Sequence, residues 1–268
     1  MDSSSHDNMS FLEHLEELRW HIIRSLIAII SAGFICFLMK DFIFDTIIFG
    51  PKKMDFPTYK FLCQAATFIG IETTFCGDEF PFIVQNRTMA GQFSAHVMTS
   101  IISGFIISFP YILYEFWKFI APGLLEKEKA KSRGFILVSS LLFFIGILFG
   151  YYIISPLSIN FLGTYQVSSQ VLNEIDLGSF IGLVRSSTLA SGIIFELPII
   201  IYFLTKAGVV TPESLVKYRK YALVLVLVLA AIITPPDVAS QIIVAIPIVV
   251  LYQVSIFISR IVIKNQTK

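Results

Sequence analysis

Charge is what this sequence has least of. Asp, Glu, Lys and Arg make up 15% of its 268 residues, against about 25% in a soluble globular domain. Hydrophobic residues reach 55% and the mean hydropathy is +0.77. This excludes an ordinary soluble domain and predicts an all-α integral membrane protein. The two signs nearly cancel, so the net charge of +1 gives no reason to expect nucleic acid as a partner. Cysteine is scarce too: three residues exclude a disulfide scaffold. There is no nucleophile–base pair and no phosphate loop, and His14 and His96 have no partners at metal-ligand spacing. Neither an enzyme nor a metal or cofactor is therefore expected. A cleavable signal peptide is not expected either, because the first apolar run is too long and no small-residue cleavage site follows it. What abounds is aromatic: 26 Phe and 10 Tyr suit lipid-facing and interfacial surface.

Along the chain, residues 1–9 read as a mobile polar tail. Ser10 and Glu13 then have the spacing of a capping box. Phe11, Leu12, Leu15 and Leu18 make one apolar stripe, with Glu13, Glu16 and Glu17 mainly on the other side. Residues 1–19 are thus a tail and an amphipathic helix that leads into the first membrane segment, 20–39. Arg19, His21 and Arg24 stand at its entrance. Further segments are expected at 93–120, 135–154, 179–204, 216–233 and 238–258, in one membrane domain over 1–268. Residues 40–92 form a long extracytoplasmic loop, rich enough in apolar patches to fold against the membrane. The fifth apolar run, Tyr221 to Ile233, rises only about 20 Å against a hydrocarbon core of about 30 Å. Either a helix starts at Ser214 and spans normally, or the bilayer thins there.

Orientation follows from Lys and Arg. The connections after segments two and four carry five and four of them and the C-terminal tail three. Those after segments three and five carry none. The first connection holds five but is near the length at which the rule weakens. Both termini are expected in the cytoplasm. No internal repeat, direct or inverted, is visible.

The fourth segment carries a carboxylate, Glu196, inside its apolar run. A charge at the centre of a membrane helix costs roughly 2.5–3.5 kcal/mol on insertion scales. Arg185 is about 16 Å of helix rise away, too far for a direct pair, and can snorkel to the headgroups. Pro198 should loosen the backbone beside Glu196. The acid is either functional or held by a backbone or hydroxyl donor. A second group of acids, Glu13, Glu16, Glu17, Glu115, Glu126 and Glu128, gathers on the expected cytoplasmic side. These are either solvated and self-paired, or a receptor for a basic ligand. Two guanidinium forks would need two carboxylates held in fixed relation.

Four ordered motifs give these acids a context. HLEELR at 14–19, FWKFIAPGL at 116–124 with Glu128 after it, SGIIFELP at 191–198, and TPPDVASQ at 234–241 followed by AIP at 245–247 resemble the signatures of the TatC family. That resemblance covers nearly the whole chain. It implies a concave, glove-shaped bundle of six helices in the bacterial cytoplasmic (inner) membrane. The bundle would bind twin-arginine signal peptides at its cytoplasmic face and work with single-span TatA- and TatB-type partners. Folded proteins would be exported at the expense of the proton-motive force, and self-association is open. Carried over by motif, Glu17 and Glu128 are the signal-peptide acids, with Arg19, Phe116 and Pro122 beside them. Glu196, Asp237 and Gln241 are polar contacts inside or at the edge of the membrane, and Pro51 belongs to the outer loop. Asp237 also reads as an N-cap of the last segment.

Two departures stand out: His21 occupies a position where many relatives have a second arginine, and the outer loop at 40–92 is longer than the family pattern. That loop holds Cys63 and Cys76. They are either bonded, for up to about 3 kcal/mol of loop order, or two free thiols. Cys36 reads as ordinary packing, Gly146 and Gly150 as a close helix contact, and the sequon Asn86-Arg-Thr88 is given no role. Two other readings remain. One is a secondary transporter using Glu196 as a proton or cation site, which explains the buried acid but not the acidic patch. The other is a scaffold without a ligand.

Overall fold

In the computed structural model, residues 11–70, 76–77, 79–120, 132–234 and 238–266 are described. They form two compact units. The first is built from residues up to Lys40 and from His96–Leu141, the second from Asp41–Ala95 and Leu142–Lys268.

The first unit pairs helix α1, Phe11–Leu38, with most of α3, Gly91–Ile120, and the start of α4, Ser132–Phe149. Helices α1 and α3 are antiparallel and are joined along their length. The His96 ring stacks on Phe37 at 3.9 Å, and its Nε2 lies 3.0 Å from the Phe37 carbonyl oxygen. Ser108 donates to the Ala28 carbonyl at 3.0 Å. Between these contacts the backbones nearly touch. A Cβ on Gly104 would come within 2.5 Å of the Gly33 nitrogen, so only glycine permits this crossing.

The second unit holds the polar loops and the remaining helices. After α1 the chain makes a π-helical turn, Phe42–Ile48, and a 3₁₀ turn, Gly50–Lys52, then forms α2, Pro57–Ile69. A short strand β1, Phe82–Gln85, pairs in parallel with β2, Asn173–Asp176, from Phe82 opposite Asn173 to Gln85 opposite Asp176. This ladder is a small addition to an otherwise helical chain. Helix α4 continues through a π-helical turn, Gly150–Ile154, into α5, Ser155–Thr164. The third apolar segment is therefore longer than expected. Then come α6, Leu177–Phe195, and α7, Leu197–Lys206. The last three helices are α8, Pro212–Lys217, α9, Arg219–Ile233, and α10, Val238–Gln266.

Gly146 and Gly150 lie against α6. Their absent side chains would meet the Ser191 and Ser187 carbonyl oxygens, each at 2.7 Å. Ser155 and Ser187 share a buried hydrogen bond of 2.8 Å at the same seam. On the other side α10 packs on α7, with Thr205 donating to Ser259 at 2.9 Å, and on α9 through Val226, Ala230, Val244, Ala245 and Ile248.

Among the described residues, five stretches are long and apolar enough to cross a membrane: Leu15–Leu38, Gly91–Ile120, Gly134–Thr164, Leu177–Lys206 and Ser240–Lys264. The sixth apolar helix is α9, whose 15 residues rise about 22 Å. A single helix starting at Ser214, one of the two readings open for this run, is not what forms. Ser214 belongs to α8, where it completes a capping box with Thr211, and the chain breaks at Tyr218 before α9 begins. Ile30, Phe34, Leu141, Ile232 and Phe257 present their side chains outward, as lipid-covered surfaces do.

Candidate functional site

In the first unit the polar site begins on α1, where Glu17, His21 and Arg24 fall at i, i+4 and i+7 on one helical face. Opposite them, α3 contributes Glu115. The His21 Nδ1–H donates to Glu115 Oε2 at 2.6 Å, and an Arg24 guanidinium nitrogen lies 3.7 Å from the same oxygen. Glu115 is 2% exposed and His21 8%. Glu115 is thus a paired acid and not part of an open acidic face, in keeping with the self-paired one of the two readings open for these acids. His21, standing where many relatives carry arginine, keeps a donor for that acid. Tyr111 also interacts with Glu115, and Lys118 sits over the Tyr114 ring at 4.4 Å.

One helical turn before His21, Glu17 is half-buried. Its Oε2 is buried and has no hydrogen-bond partner among the described residues. Arg19 and Phe116 are exposed, while Trp117 is buried against Phe135 with ring centroids 4.8 Å apart. The remaining residues named for this site, Pro122 and Glu128, lie outside the described residues, as do Ser10 and Glu126. The structure therefore brings Glu17, His21, Arg24 and Glu115 together and leaves Arg19 and Phe116 on the surface.

In the second unit Glu196 is 9% exposed. It stands at the junction of α6 and α7. The N–H groups of Ile199 and Ile200 both donate to its carbonyl, and Pro198 follows at the start of α7, where a missing N–H costs no intrahelical bond. The interruption thus falls at the acid itself. Gln241 Nε2 donates to the Leu227 carbonyl at 3.0 Å, tying α10 to α9; Asp237 lies outside the described residues.

Pro51 is buried in a polar knot that the sequence did not reveal. The hydroxyl of Tyr59, a fully buried side chain on α2, lies 2.9 Å from the Pro51 carbonyl and 3.0 Å from that of Pro156. Tyr151 donates to the Ile47 carbonyl at 2.8 Å. Burial pushes the Tyr59 phenol above its usual range. Cys63 and Cys76 are disulfide-bonded with Cα atoms 5.1 Å apart, and Cys36 is a buried free thiol. Among the described residues, no group of His, Cys, Asp and Glu could hold a metal ion.

Long apolar helices, glycine-mediated crossings and the buried acids Glu115 and Glu196 within them define a multi-pass helical membrane protein. The family of the Sec-independent protein translocase protein (TatC) matches residues 13–247. A TatC protein of Blattabacterium sp. subsp. Periplaneta americana is 46% identical over 97% of this chain and 98% of its own length. That of Aquifex aeolicus is 37% identical over 94% and 95%. A crystal structure described as the twin arginine translocase receptor TatC in DDM superposes with a TM-score of 0.70, at 36% identity over 92% of this chain and 99% of that one. The chain belongs to the TatC family. It is a multi-pass inner-membrane component of the Sec-independent protein translocase and not an enzyme.

Proposed function

We propose that this chain is the receptor of its translocase and that the α1 site binds twin-arginine signal peptides from the cytoplasm. The observation that carries this reading is the Glu17 carboxylate. One of its oxygens is buried without a partner among the described residues, one turn from His21, which with Arg24 already occupies the acid Glu115. A guanidinium is the donor best matched to such a carboxylate. Glu128, carried over from the FWKFIAPGL motif, is the second acid, so that paired arginines meet paired carboxylates. Arg19 and Phe116 flank the leader, and Pro122 is carried over from the same motif as Glu128.

The apolar part of the leader then runs along the helices. Glu196, Asp237 and Gln241 offer polar contacts for the leader or for a membrane helix of TatA- or TatB-type partners. Both termini face the cytoplasm, and the proton-motive force drives export of folded cargo. The test is crosslinking of a precursor to membranes carrying Glu17→Gln together with Glu128→Gln. Crosslinking should be lost while the protein remains inserted, and undiminished crosslinking would refute the assignment.

A further inference from the structure

Helices α6 and α7 form one span of 30 residues, Leu177–Lys206. Its rise of about 45 Å exceeds a hydrocarbon core of about 30 Å. Both ends are marked by polar structure. Asp176 closes β2 and caps α6 by accepting from the N–H groups of Gly178 and Ser179, and Lys206 ends α7. An open strand edge does not sit in hydrocarbon. A centred span leaves about 7 Å outside at each end, so the hydrocarbon starts roughly five residues into α6, near Gly182.

Arg185 lies just beyond that boundary. Its Nε is buried with no hydrogen-bond partner among the described residues, and no ion pair among them includes it. An arginine left so at this depth is costly. Helical side chains lean toward the N-terminus, so the level of the phospholipid phosphates is within reach of Arg185 on the side of Gly182. The way is open there, for a Cβ on Gly182 would meet nothing within 4 Å. Ser179 and Ser186 are exposed on this side, and the same face continues inward through the exposed Ile193, Ile200 and Leu204.

We propose that Arg185 binds the phosphodiester of a phospholipid in the leaflet at the α6 N-terminus, with an acyl chain lying along Ile193 and Ile200. A guanidinium pairs with two phosphate oxygens at once, which supplies the counter-charge the protein does not. Gly182 is the notch that admits the headgroup. On the orientation proposed above this is the outer leaflet, but the site itself does not depend on signal-peptide binding.

The test is lipid retention by the full chain, purified in detergent and titrated with phosphatidylglycerol under native mass spectrometry. Arg185→Gln should weaken the tightest lipid on the order of tenfold, the loss of one charge-assisted contact. Arg185→Lys should fall between. Gly182→Leu keeps the cation but blocks the notch, and should weaken the same lipid while the far-ultraviolet spectrum and melting temperature stay at wild-type values. Inorganic phosphate at millimolar concentration should not compete. Equal retention by wild type and Arg185→Gln would overturn the site. So would competition by inorganic phosphate, which indicates a free anion. Loss of a copurifying single-span protein with lipid retention unchanged would also overturn it, in favour of an acid on a partner helix.

Discussion

His21 and Glu115 bury two ionisable groups against each other at 2.6 Å, with Arg24 more loosely placed on the same oxygen. Removing one partner of such a pair leaves an uncompensated group, at a cost of about 3 kcal/mol or more. His21→Ala should therefore lower stability by about that amount in reversible unfolding in mixed micelles. His21→Arg, which restores a donor to Glu115, should lose much less. Equal losses in the two variants would mean that ring packing against Phe119, 6.2 Å between centroids, holds His21 in place. The pairing was partly open to sequence reasoning. Glu115 is the sole acid in the apolar stretch 93–120, and a carboxylate in such a place calls for a partner. Nothing in the residue pattern pointed to His21, because its helix is distant in sequence and the crossing of α1 with α3 sets the pair.

Among the elements, α2 is tied to the Gly50–Lys52 turn and to α5 by the Tyr59 phenol. Tyr59→Phe removes the donor shared by the Pro51 and Pro156 carbonyls. It should cost about 1 kcal/mol, the net worth of a hydrogen bond, plus any penalty for the stranded carbonyls. Protease susceptibility of the loop at 40–92 should rise in parallel, and an unchanged digestion pattern would remove Tyr59 from this role. The Cys63–Cys76 bond closes a 13-residue separation, so replacing both by serine should cost the loop up to about 3 kcal/mol of order. Urea midpoints of the wild type with and without reductant, compared with the double serine variant, check this. Equal midpoints throughout would show that the bond orders nothing. Gly150→Leu should be worse than either, since its first side-chain atom would meet the Ser187 carbonyl at 2.7 Å. Loss of folded protein from membranes is the expected readout, and accumulation at the wild-type level would contradict the seam.

These elements also mark what the residue pattern does and does not contain. Apolar length marked where the long helices lie but not the length of the third or the start of the fifth, and the GxxxG spacing at Gly146 and Gly150 specified a close contact, though not its partner α6. The parallel ladder of β1 with β2 joins segments about ninety residues apart. Each strand is four residues long, too short for alternation to rise above the surrounding loops. The break at Tyr218 was equally hidden, because the residues on either side favour helix and the Tyr218 N–H still donates to the Ser214 carbonyl as α8 ends.

For the whole molecule, the family is secure and the receptor role is the proposal that gives its polar residues a task. The cytoplasmic placement of both termini and the outer placement of α2 are proposed from the distribution of Lys and Arg. Single cysteines on a Cys36→Ser background test them. A cysteine replacing Lys264 should react with a membrane-impermeant maleimide only after the cells are opened. One replacing Thr67 should react in intact cells, provided Cys63 and Cys76 remain bonded. Labelling in the reverse pattern would invert the topology and move the Glu17 site away from incoming precursors.

The most direct measurement places a photoreactive amino acid at Phe116, exposed beside the Glu17–Glu115 face, and irradiates membranes presented with precursor. A twin-arginine leader should crosslink there, a twin-lysine version of the same leader should crosslink weakly, and Glu17→Gln should abolish the difference. Equal crosslinking of the two leaders to the unaltered chain, or none from this position while the precursor is captured through the second unit, would contradict the receptor site proposed on α1.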